Sequence, residues 1–342
     1  MMRKIRLGKT ELQVSELGFG GIPITRLDLK DAVRLARYCF EQGINFFDTA
    51  NIYGDSELKL GTALQKVRER VILATKTFLR DGAGAAGHIE ESLARLRTEY
   101  IDIYQLHNLS NDEALEEVMA PGGAFEALDR ARDEGKIGHI GFSAHNIDIA
   151  RKACLTGKFA TVQIPFNYIE HDPAEKLFQT AREQDMGIIA MKPLGGGLLP
   201  RPDLCFRFLQ SYEDVIPIAG VQAQREIDEI LQYYREPQAL VEKDWDEIEK
   251  IRDEIGTTFC HRCEYCQPCP EGVEIWRILL FKAQSKRFPP QMAIRLSEDA
   301  MKVAENCLKC GECEEKCPYE LPVPELIEES LDYFRTFCKQ YG

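Results

Sequence analysis

Short apolar segments recur along the first two thirds of the chain, and their spacing limits the fold more than any other feature. Candidate strands begin near Glu16, Asn45, Val71, Ile101, Gly138, Thr161, Gly187 and Val215. The intervals between successive starts, 23 to 37 residues long, each contain a helix-like segment such as Asp28–Gln42. The segments show little polar–apolar alternation, as expected for strands buried on both faces of a parallel sheet. Eight such units predict an α/β fold of the (β/α)8 TIM barrel class, rather than a doubly wound sheet of about six strands.

The flanking segments predict two further parts of the chain. Met2–Leu7 and Leu12–Val14 read as strands of an N-terminal β-hairpin that we expect to close the bottom of the barrel. Asp244–Ile255 predicts an acidic helix, capped at its first residue and stopped by the glycine that follows it. We therefore expect a barrel over residues 1–235, a helical connector over 236–259 and a small, mainly helical ferredoxin-like Fe–S domain over 260–342.

Eight of the twelve cysteines fall in two clusters within this last region. The clusters read Cys260-x2-Cys263-x2-Cys266-x2-Cys269-Pro270 and Cys307-x2-Cys310-x2-Cys313-x3-Cys317-Pro318. The second is the ferredoxin spacing for a [4Fe–4S] cluster, and the first departs from it by one residue. Structural zinc usually takes pairs of C-x2-C, and disulfides are not expected in a chain without a secretion signal. The spacing therefore predicts two [4Fe–4S] clusters.

The fourth cysteine of each run has a separate role in two-cluster ferredoxins, where it ligates the other cluster. On this pattern, one cluster is held by Cys260, Cys263, Cys266 and Cys317, and the other by Cys307, Cys310, Cys313 and Cys269. We expect the remaining cysteines to be small buried apolar residues; they are Cys39, Cys154, Cys205 and Cys338.

The net charge of the chain limits the kind of partner that it can bind. Lys and Arg number 43 against 56 Asp and Glu, and the resulting net charge of −13 argues against a nucleic-acid or anionic-membrane surface. No apolar segment approaches the ~18 residues of a membrane span. The first residues also lack the apolar core of a secretory signal. We expect a soluble, cytoplasmic protein.

Four titratable residues lie where three consecutive candidate strands end. Asp48 and Tyr53 follow the second strand, Lys76 ends the third and His107 ends the fourth. TIM-barrel enzymes carry their reacting groups at these ends. Close together, Lys76 would stabilise the phenolate of Tyr53 while Asp48 held the ammonium in place. Tyr53 would then be a general acid for a carbonyl oxygen, and His107 would orient the substrate or relay the proton.

This set of four residues, in this order and at these strand ends, resembles the catalytic tetrad of the aldo/keto reductase family. With the cysteine-rich tail, the whole chain resembles the ferredoxin-type branch of that family, a reductase barrel fused to a C-terminal 4Fe–4S dicluster domain. The resemblance implies that NADP or NAD binds across the C-terminal mouth of the barrel. It also implies hydride transfer to a small-molecule aldehyde or ketone, with Tyr53 as the proton donor. The sequence does not identify that carbonyl compound.

The resemblance also implies which residues contact the nucleotide. Gly21 and Ile22 would line the nicotinamide side, and Ser143 and Gln163 would bind its carboxamide. Met191 stands where the family often has an aromatic residue that stacks on the ring. Further implied contacts are Lys192, Leu194 and Gly196 along the pyrophosphate, and Gly220, Gln224 and Arg225 near the adenosine phosphate, where free amides at a helix start would face it.

Two departures from the family pattern leave part of the nucleotide site open. Many members carry Asn directly after the Ser of the fifth strand, whereas Ala144 and His145 precede Asn146 in this chain, so the side chain that reaches the carboxamide stays open. Arg225 is the one evident cation for a 2′-phosphate, so the choice between NADPH and NADH stays open.

We expect a carbonyl reductase whose clusters transfer electrons, with a separate redox partner such as a ferredoxin. Clusters pass single electrons and nicotinamide moves a hydride, so oxygen or iron sensing and a purely bracing role also stay open for them. The alternative function is an electron-transfer or redox-sensing module in which the barrel only binds nucleotide. A broken tetrad would favour that alternative, and in this chain all four members are present.

Overall fold

The structure, a computed structural model, describes residues 2–109, 111–255, 259–260, 265–285 and 290–341. Its internal contacts divide the chain into two compact units. The first comprises Met1–Leu194 and Arg201–Trp245, and the second comprises Gly195–Pro200 and Asp246–Gly342.

The first unit begins with the predicted antiparallel hairpin. Its strands are β1 (Lys4–Arg6) and β2 (Gln13–Ser15), joined through a 3₁₀ turn at Gly8–Thr10. Leu7 and Val14 are fully buried in one cluster with Phe46 and Ile72, which lie at the start of their barrel strands. The hairpin therefore packs its apolar side chains against the bottom of the barrel, as expected.

Eight parallel strands close into a barrel, which confirms the predicted fold. They are β3 (Gly18–Gly20), β4 (Phe46–Asp48), β5 (Ile72–Thr77), β6 (Ile101–Leu106), β7 (Ile137–Ser143), β8 (Thr161–Pro165), β9 (Gly187–Met191) and β10 (Val215–Gly220). Each strand pairs with its neighbours in sequence, and β10 closes the barrel by pairing with β3. Every observed strand begins within two residues of its predicted start.

Helices cover the outside of the barrel. They are α1 (Leu29–Glu41), α2 (Ser56–Leu64), α3 (Gly82–Leu96), α4 (Asp112–Met119), α5 (Ala124–Asp133), α6 (Ile147–Leu155), α7 (Pro173–Lys176), α8 (Phe178–Glu183), α9 (Pro202–Gln210) and α10 (Gln224–Arg235). Helix α1 shows why they form where they do. The carboxylate of Asp28 accepts a hydrogen bond from the amide of Asp31 at 2.7 Å and caps the helix start. Ala32, Leu35 and Ala36 then recur at helical spacing and form the buried face.

The second unit is helical. Its helices are α11 (Glu242–Ile255, which begins in the first unit), α12 (Ile275–Leu279), α13 (Phe281–Ser285), α14 (Pro290–Ala304), α15 (Glu312–Glu315) and α16 (Val323–Tyr341). Its core contains Ile278, Phe281, Met301 and Ile327, and several of the clustered cysteines pack against this core. No helix in the part of the chain that the structure describes is long and apolar enough to span a membrane.

The predicted start of the connector helix at Asp244 is wrong by two residues. Helix α11 begins at Glu242, and Asp244 lies in its first turn. The carboxylate of Asp244 reaches back to accept a hydrogen bond from the amide of Val241 at 3.0 Å. Asp244 therefore caps the helix from inside, in the manner of the third residue of a capping box. The predicted stop at Gly256 lies outside the described residues.

Candidate functional site

Asp48 and Lys76 form a buried ion pair at the C-terminal end of the barrel. They lie on the adjacent strands β4 and β5, and the Lys76 Nζ is 2.6 Å from each Asp48 carboxylate oxygen. The same Nζ donates to the carbonyl oxygen of Thr49 at 2.6 Å, so three acceptors surround it, matching the three N–H groups of an ammonium. Despite the mutual attraction of the two charges, burial raises the pKa of Asp48 and lowers the pKa of Lys76.

Tyr53 lies beside this ion pair on the turn between β4 and α2. Its amide donates to the carbonyl oxygen of Ala50 at 3.0 Å, and its own carbonyl oxygen accepts from the amide of Ser56 at 2.9 Å. These bonds fix the turn that carries the side chain. The Lys76 Nζ is 5.6 Å from the centroid of the Tyr53 ring, within the range of a cation–π interaction.

His107 completes this group from the end of β6. Its ring stands edge-on to the Tyr53 ring, with 5.6 Å between centroids, and edge-on to Phe78 at 5.7 Å. Burial lowers the pKa of His107 well below its usual range, and the positive charges of Lys76 and Arg80 lower it further. His107 is therefore a neutral imidazole at neutral pH. The structure thus brings together all four predicted catalytic residues.

Gln105 is a member of this site that the sequence analysis missed. Its amide nitrogen lies 3.3 Å from Asp48 Oδ1 and donates to Gln163 Oε1 at 3.0 Å. A chain of polar side chains thus crosses the barrel interior from β4 through β6 to β8, and it brings the predicted nucleotide residue Gln163 close to the Asp48 carboxylate. One signal in the sequence points to Gln105: it lies two residues before His107, so both side chains share a face of one strand.

Ser143 lies beside Gln163, because β7 and β8 pair these two residues directly. Both are buried, and the Ser143 hydroxyl oxygen accepts a hydrogen bond from the amide of Asn108 at 2.9 Å. The side chain of Asn146 caps helix α6 by accepting from the amides of Asp148 and Ile149 at 2.9 and 3.1 Å. Asn146 therefore serves the helix in this structure.

His145 and Lys192 form a second polar pair at the strand ends. The Lys192 Nζ lies 3.2 Å from His145 Nε2, and His145 Nδ1 lies 2.8 Å from the side-chain oxygen of Asn108. An ammonium only donates, so Nε2 accepts the bond from Lys192, and Nδ1 carries the proton that is donated to Asn108. The position after Ser143 is Ala144, which is buried and apolar.

The predicted residues at the end of β9 and in the segment after it belong to both units. Met191 and Lys192 are half-buried, and Met191 packs against the barrel cluster that contains Ile189 and Ile216. Leu194 is half-buried in the first unit. Gly196 belongs to the second unit and has a φ of 67°, which a glycine adopts without strain.

Close packing explains why glycine occupies positions 21 and 220. A Cβ at Gly21 would lie 2.8 Å from both the Asp48 carbonyl oxygen and the Ser56 hydroxyl, and the Gly21 amide donates to that Asp48 oxygen at 2.7 Å. A Cβ at Gly220 would lie 2.7 Å from the ring of Pro23. Ile22, the residue after Gly21, begins a 3₁₀ turn.

A buried lysine anchors the loop after β3. Lys59 is only 2% exposed, and its Nζ donates to the carbonyl oxygens of Ile24, Thr25 and Leu27 at 3.0, 3.3 and 2.7 Å. It also pairs with Asp55 at 2.7 Å. Sequence reasoning missed Lys59. A lysine between Leu58 and Leu60 on a short helix is the signal that points to it.

The amides at the start of α10 are not free, as the sequence analysis expects them to be, but bonded to a carboxylate. Gln224 and Arg225 are exposed in its first turn. The preceding amides of Gln222 and Ala223, expected to be free, both donate to one carboxylate oxygen of Glu226, at 2.7 and 3.3 Å. The spacing of three residues between Ala223 and Glu226 is the signal in the sequence that points to this contact.

The clustered cysteines surround two cavities in the second unit. The first cavity, of about 180 Å³, is lined by residues that include Cys269, Cys307, Cys310, Cys313 and Cys266. The second, of about 20 Å³, is lined by residues that include Cys260, Cys266 and Cys317. Cys263 lies outside the described residues. The first cavity thus gathers one complete predicted ligand set, and the second gathers the three described members of the other. Each includes its distant fourth cysteine, while Cys266 borders both cavities.

No three His, Cys, Asp or Glu side chains converge on a single metal ion in the ranges that the structure describes. The four thiolates of a [4Fe–4S] cube bind four different irons, so they surround a volume and do not meet at a point. Among the other cysteines, Cys39, Cys154 and Cys205 are buried, as expected, and burial raises the pKa of each thiol. Cys338 is only partly buried, so the expectation for it is wrong.

Comparisons with known proteins match two regions of the chain, one with the four strand-end residues and one with the clustered cysteines. The family model described as "Aldo/keto reductase family" matches residues 16–204, and the one described as "4Fe-4S dicluster domain" matches residues 259–322. Among curated proteins, Probable aldo-keto reductase 1 of Glycine max is 32% identical over 215 residues, which cover 57% of this chain and 60% of that protein. Uncharacterized oxidoreductase YqkF of Bacillus subtilis (strain 168) is 30% identical over 217 residues, covering 59% of this chain and 68% of that protein.

Solved structures share the barrel. The holo form of aldo-keto reductase AKR11C1 from Bacillus halodurans superposes with a TM-score of 0.65 at 25% identity, covering 73% of this chain and 96% of that one. An aldo-keto reductase from Klebsiella pneumoniae in complex with NADPH superposes with a TM-score of 0.63 at 20% identity, covering 73% and 95%. At that identity, the second likeness shows the fold alone.

Proposed function

Because the chain belongs to the aldo/keto reductase family of NAD(P)-dependent oxidoreductases and carries a 4Fe–4S dicluster domain at its C-terminus, we propose that it reduces an aldehyde or ketone with NAD(P)H. One observation carries this proposal. The Lys76 Nζ, held by both oxygens of Asp48 at 2.6 Å, lies 5.6 Å from the ring centroid of Tyr53. A fixed cation beside a phenol at the mouth of a barrel is the arrangement that a general acid requires.

The groups around this site suit a nicotinamide. Ser143 and Gln163 are paired across neighbouring strands and supply a hydroxyl and an amide, both of which can exchange hydrogen bonds with a carboxamide. The Gln163 oxygen accepts from Gln105 and its amide also hydrogen-bonds the Asp48 carboxylate, so the second N–H of that amide is the donor proposed for the carboxamide. We propose these two side chains as the carboxamide contacts, with Gly21, Ile22 and Met191 beside the ring. Lys192 and Leu194 would then border the pyrophosphate.

The proton path follows from the residues of the site. When bound, NAD(P)H supplies the hydride to the carbonyl carbon. Tyr53 donates its proton to the carbonyl oxygen, so that R₂C=O, NAD(P)H and one proton become R₂CHOH and NAD(P)⁺. Lys76 stabilises the phenolate left on Tyr53, and Asp48 keeps the ammonium in place. His107, neutral because burial and nearby cations lower its pKa, orients the carbonyl by a hydrogen bond.

We further propose that the cysteines hold two [4Fe–4S] clusters with the exchanged fourth ligands. The cavity bordered by Cys269, Cys307, Cys310 and Cys313 supports one cluster by its volume and its donor set. The smaller cavity supports the second cluster because Cys260, Cys266 and Cys317 line it, and Cys263 is the proposed fourth ligand. These clusters would exchange single electrons with a separate protein such as a ferredoxin. Thiolate ligands need a reducing compartment, which agrees with a location in the cytoplasm.

Two measurements test these proposals on the full chain, purified without oxygen. Iron and sulfide should each approach about eight atoms per chain, as two cubes require. Oxidation of NADH and NADPH is then followed with a panel of aldehydes, ketones and quinones for the wild type, Tyr53→Phe and Tyr100→Phe. Tyr100 is a matched control because it precedes β6, at the opposite end of the barrel from the strand ends that carry the site.

The expected result is a loss of at least about 100-fold in kcat for Tyr53→Phe, the usual scale for a general acid, with no loss for Tyr100→Phe. An unaffected Tyr53→Phe variant would overturn the role of Tyr53. A wild type that binds nucleotide and reduces nothing would instead favour the electron-transfer or redox-sensing module, while a cluster content near zero after anaerobic reconstitution would remove the clusters from either function.

A further inference from the structure

The start of helix α10 lies at the mouth of the barrel, one short segment after the last strand. Strand β10 ends at Gly220 and α10 begins at Gln224, so three residues connect them. TIM barrels commonly bind phosphate with the loops after strands seven and eight together with a helix N-terminus. The first amides of a helix suit this task because they lack partners inside the helix and carry a partial positive charge.

In this chain, those amides are already bonded to a carboxylate. The amides of Gln222 and Ala223 both donate to Glu226 Oε2, at 2.7 and 3.3 Å. The Glu226 amide in turn donates to the Ala223 carbonyl oxygen at 3.1 Å, so the side chain folds back over the helix start. A negative charge thus occupies the place that an anion would otherwise take.

The charges nearby add to this effect. Asp228 and Glu229 follow Glu226 on the next turn, and Asp228 accepts a hydrogen bond from the hydroxyl of Tyr38 at 2.5 Å. Arg225 is the cation of this turn, and its side chain is exposed. Three carboxylates and one guanidinium leave the first two turns of the helix negative.

The two nicotinamide nucleotides respond to such a surface in opposite ways. NADPH carries a phosphate on the adenosine ribose where NADH carries a 2′-hydroxyl. A phosphate brings ~1.5 to 2 negative charges and only accepts hydrogen bonds in its dianionic form, so a carboxylate repels it. A hydroxyl can donate to a carboxylate, and a carboxylate at the ribose 2′-hydroxyl is a common mark of NAD sites.

We propose that Glu226 makes the nucleotide site selective for NADH over NADPH. The proposal rests on the proposed function, because it requires that a nicotinamide nucleotide binds at the barrel mouth with its adenosine end at α10. It assigns to Glu226 two tasks: capping the amides of Gln222 and Ala223, and excluding the 2′-phosphate.

Equilibrium binding tests the proposal without relying on turnover. Dissociation constants for NADH and NADPH are measured by the change in nucleotide fluorescence, on the full chain purified anaerobically, for the wild type, Glu226→Gln and Glu229→Gln. Glutamine keeps the size of Glu226 and removes its charge. Glu229 is the matched control because it lies on the same helix, and its carboxylate accepts a hydrogen bond from the hydroxyl of Tyr233 at 2.8 Å. Circular dichroism checks that each variant is folded.

We expect the wild type to bind NADH at least about 10-fold more tightly than NADPH, a difference of about 1.4 kcal/mol. Glu226→Gln should reduce this ratio by about 10-fold, mainly through tighter NADPH binding. Glu229→Gln removes an exposed, solvent-screened charge that caps no amide, so it should change the ratio by less than about 2-fold. A wild type that binds both nucleotides equally, or an unchanged ratio in Glu226→Gln, overturns the selectivity while leaving the proposed reductase intact. If neither nucleotide binds any of the three proteins, the proposed function fails and the role of Glu226 fails with it.

Discussion

The buried pair of Asp48 and Lys76 predicts a strong coupling between two substitutions. Both side chains are almost inaccessible, at 3% and 0%, and the shortest N–O distance is 2.6 Å. With an effective dielectric constant of about 20, two unit charges at this separation attract by about 6 kcal/mol. The pair loses part of this attraction to the cost of removing both charges from water.

Replacing one partner leaves an unpaired charge buried, whereas replacing both partners does not. Asp48→Asn leaves an ammonium without its counter-charge, and Lys76→Met leaves a carboxylate in the same position. Each single change should lower the free energy of unfolding by about 3 to 5 kcal/mol, the range for a broken buried ion pair. The double variant removes both desolvation costs, so its loss should fall at least about 2 kcal/mol short of the sum of the single losses.

Urea unfolding of the anaerobic full chain, followed by far-ultraviolet circular dichroism, measures these three variants against the wild type. Lys136→Met is the control, because Lys136 pairs with Glu90 and Glu134 on the exposed surface and should cost nothing measurable. A loss of unfolding free energy in the double variant that equals the sum of the two single losses to within about 0.5 kcal/mol would refute the coupling. All three variants should also lose carbonyl reduction, because the cation beside Tyr53 is removed or misplaced.

Three further predictions follow from other contacts. Lys59→Met should raise the KM for nucleotide about 10-fold in steady-state kinetics and change kcat by less than about 3-fold. The reason is that the loop over residues 22–27 loses its anchor while the reacting groups remain in place. Equal changes in KM and kcat would contradict this positioning role. The lowered pKa of His107 means that the unfolded chain binds more protons below pH ~6.5, so the free energy of unfolding should fall with decreasing pH by at most about 1.4 kcal/mol per unit from this residue. His107→Gln should flatten that slope in urea titrations at pH 5 to 7, and an identical slope would show that His107 is not the group responsible. Cys269→Ser should remove about four of about eight irons per chain, with Cys338→Ser as a control that retains all of them; full iron in the first variant would contradict the exchanged ligand.

Much of this protein follows from its sequence. The eight strands begin within two residues of their predicted starts, because burial on both faces imposes unbroken apolar segments that can be read locally. The spacing of Cys307, Cys310 and Cys313 predicts a cluster for a similar reason, since one short loop supplies three thiolates. The order of Asp48, Lys76 and His107 at consecutive strand ends also predicts that they meet, because parallel strands bring these ends to one mouth. The domain limits at 235 and 259 stay predictions.

The contacts that complete the site depend on how the barrel closes. Gln105 reaches Gln163 across 58 residues of sequence, because β6 and β8 point both side chains into one interior. Lys59 finds carbonyl oxygens 32 to 35 residues away, and no local pattern specifies which backbone groups will face it. Glu226 lies three residues after Ala223, the spacing of a capping-box glutamate, but the proposal that its charge sets nucleotide choice depends on the position of α10 beside the barrel mouth. Local sequence thus determined the elements and the reactive groups, while strand register and closure decided which polar groups meet, because hydrogen bonds between distant segments require a fixed three-dimensional position for both partners.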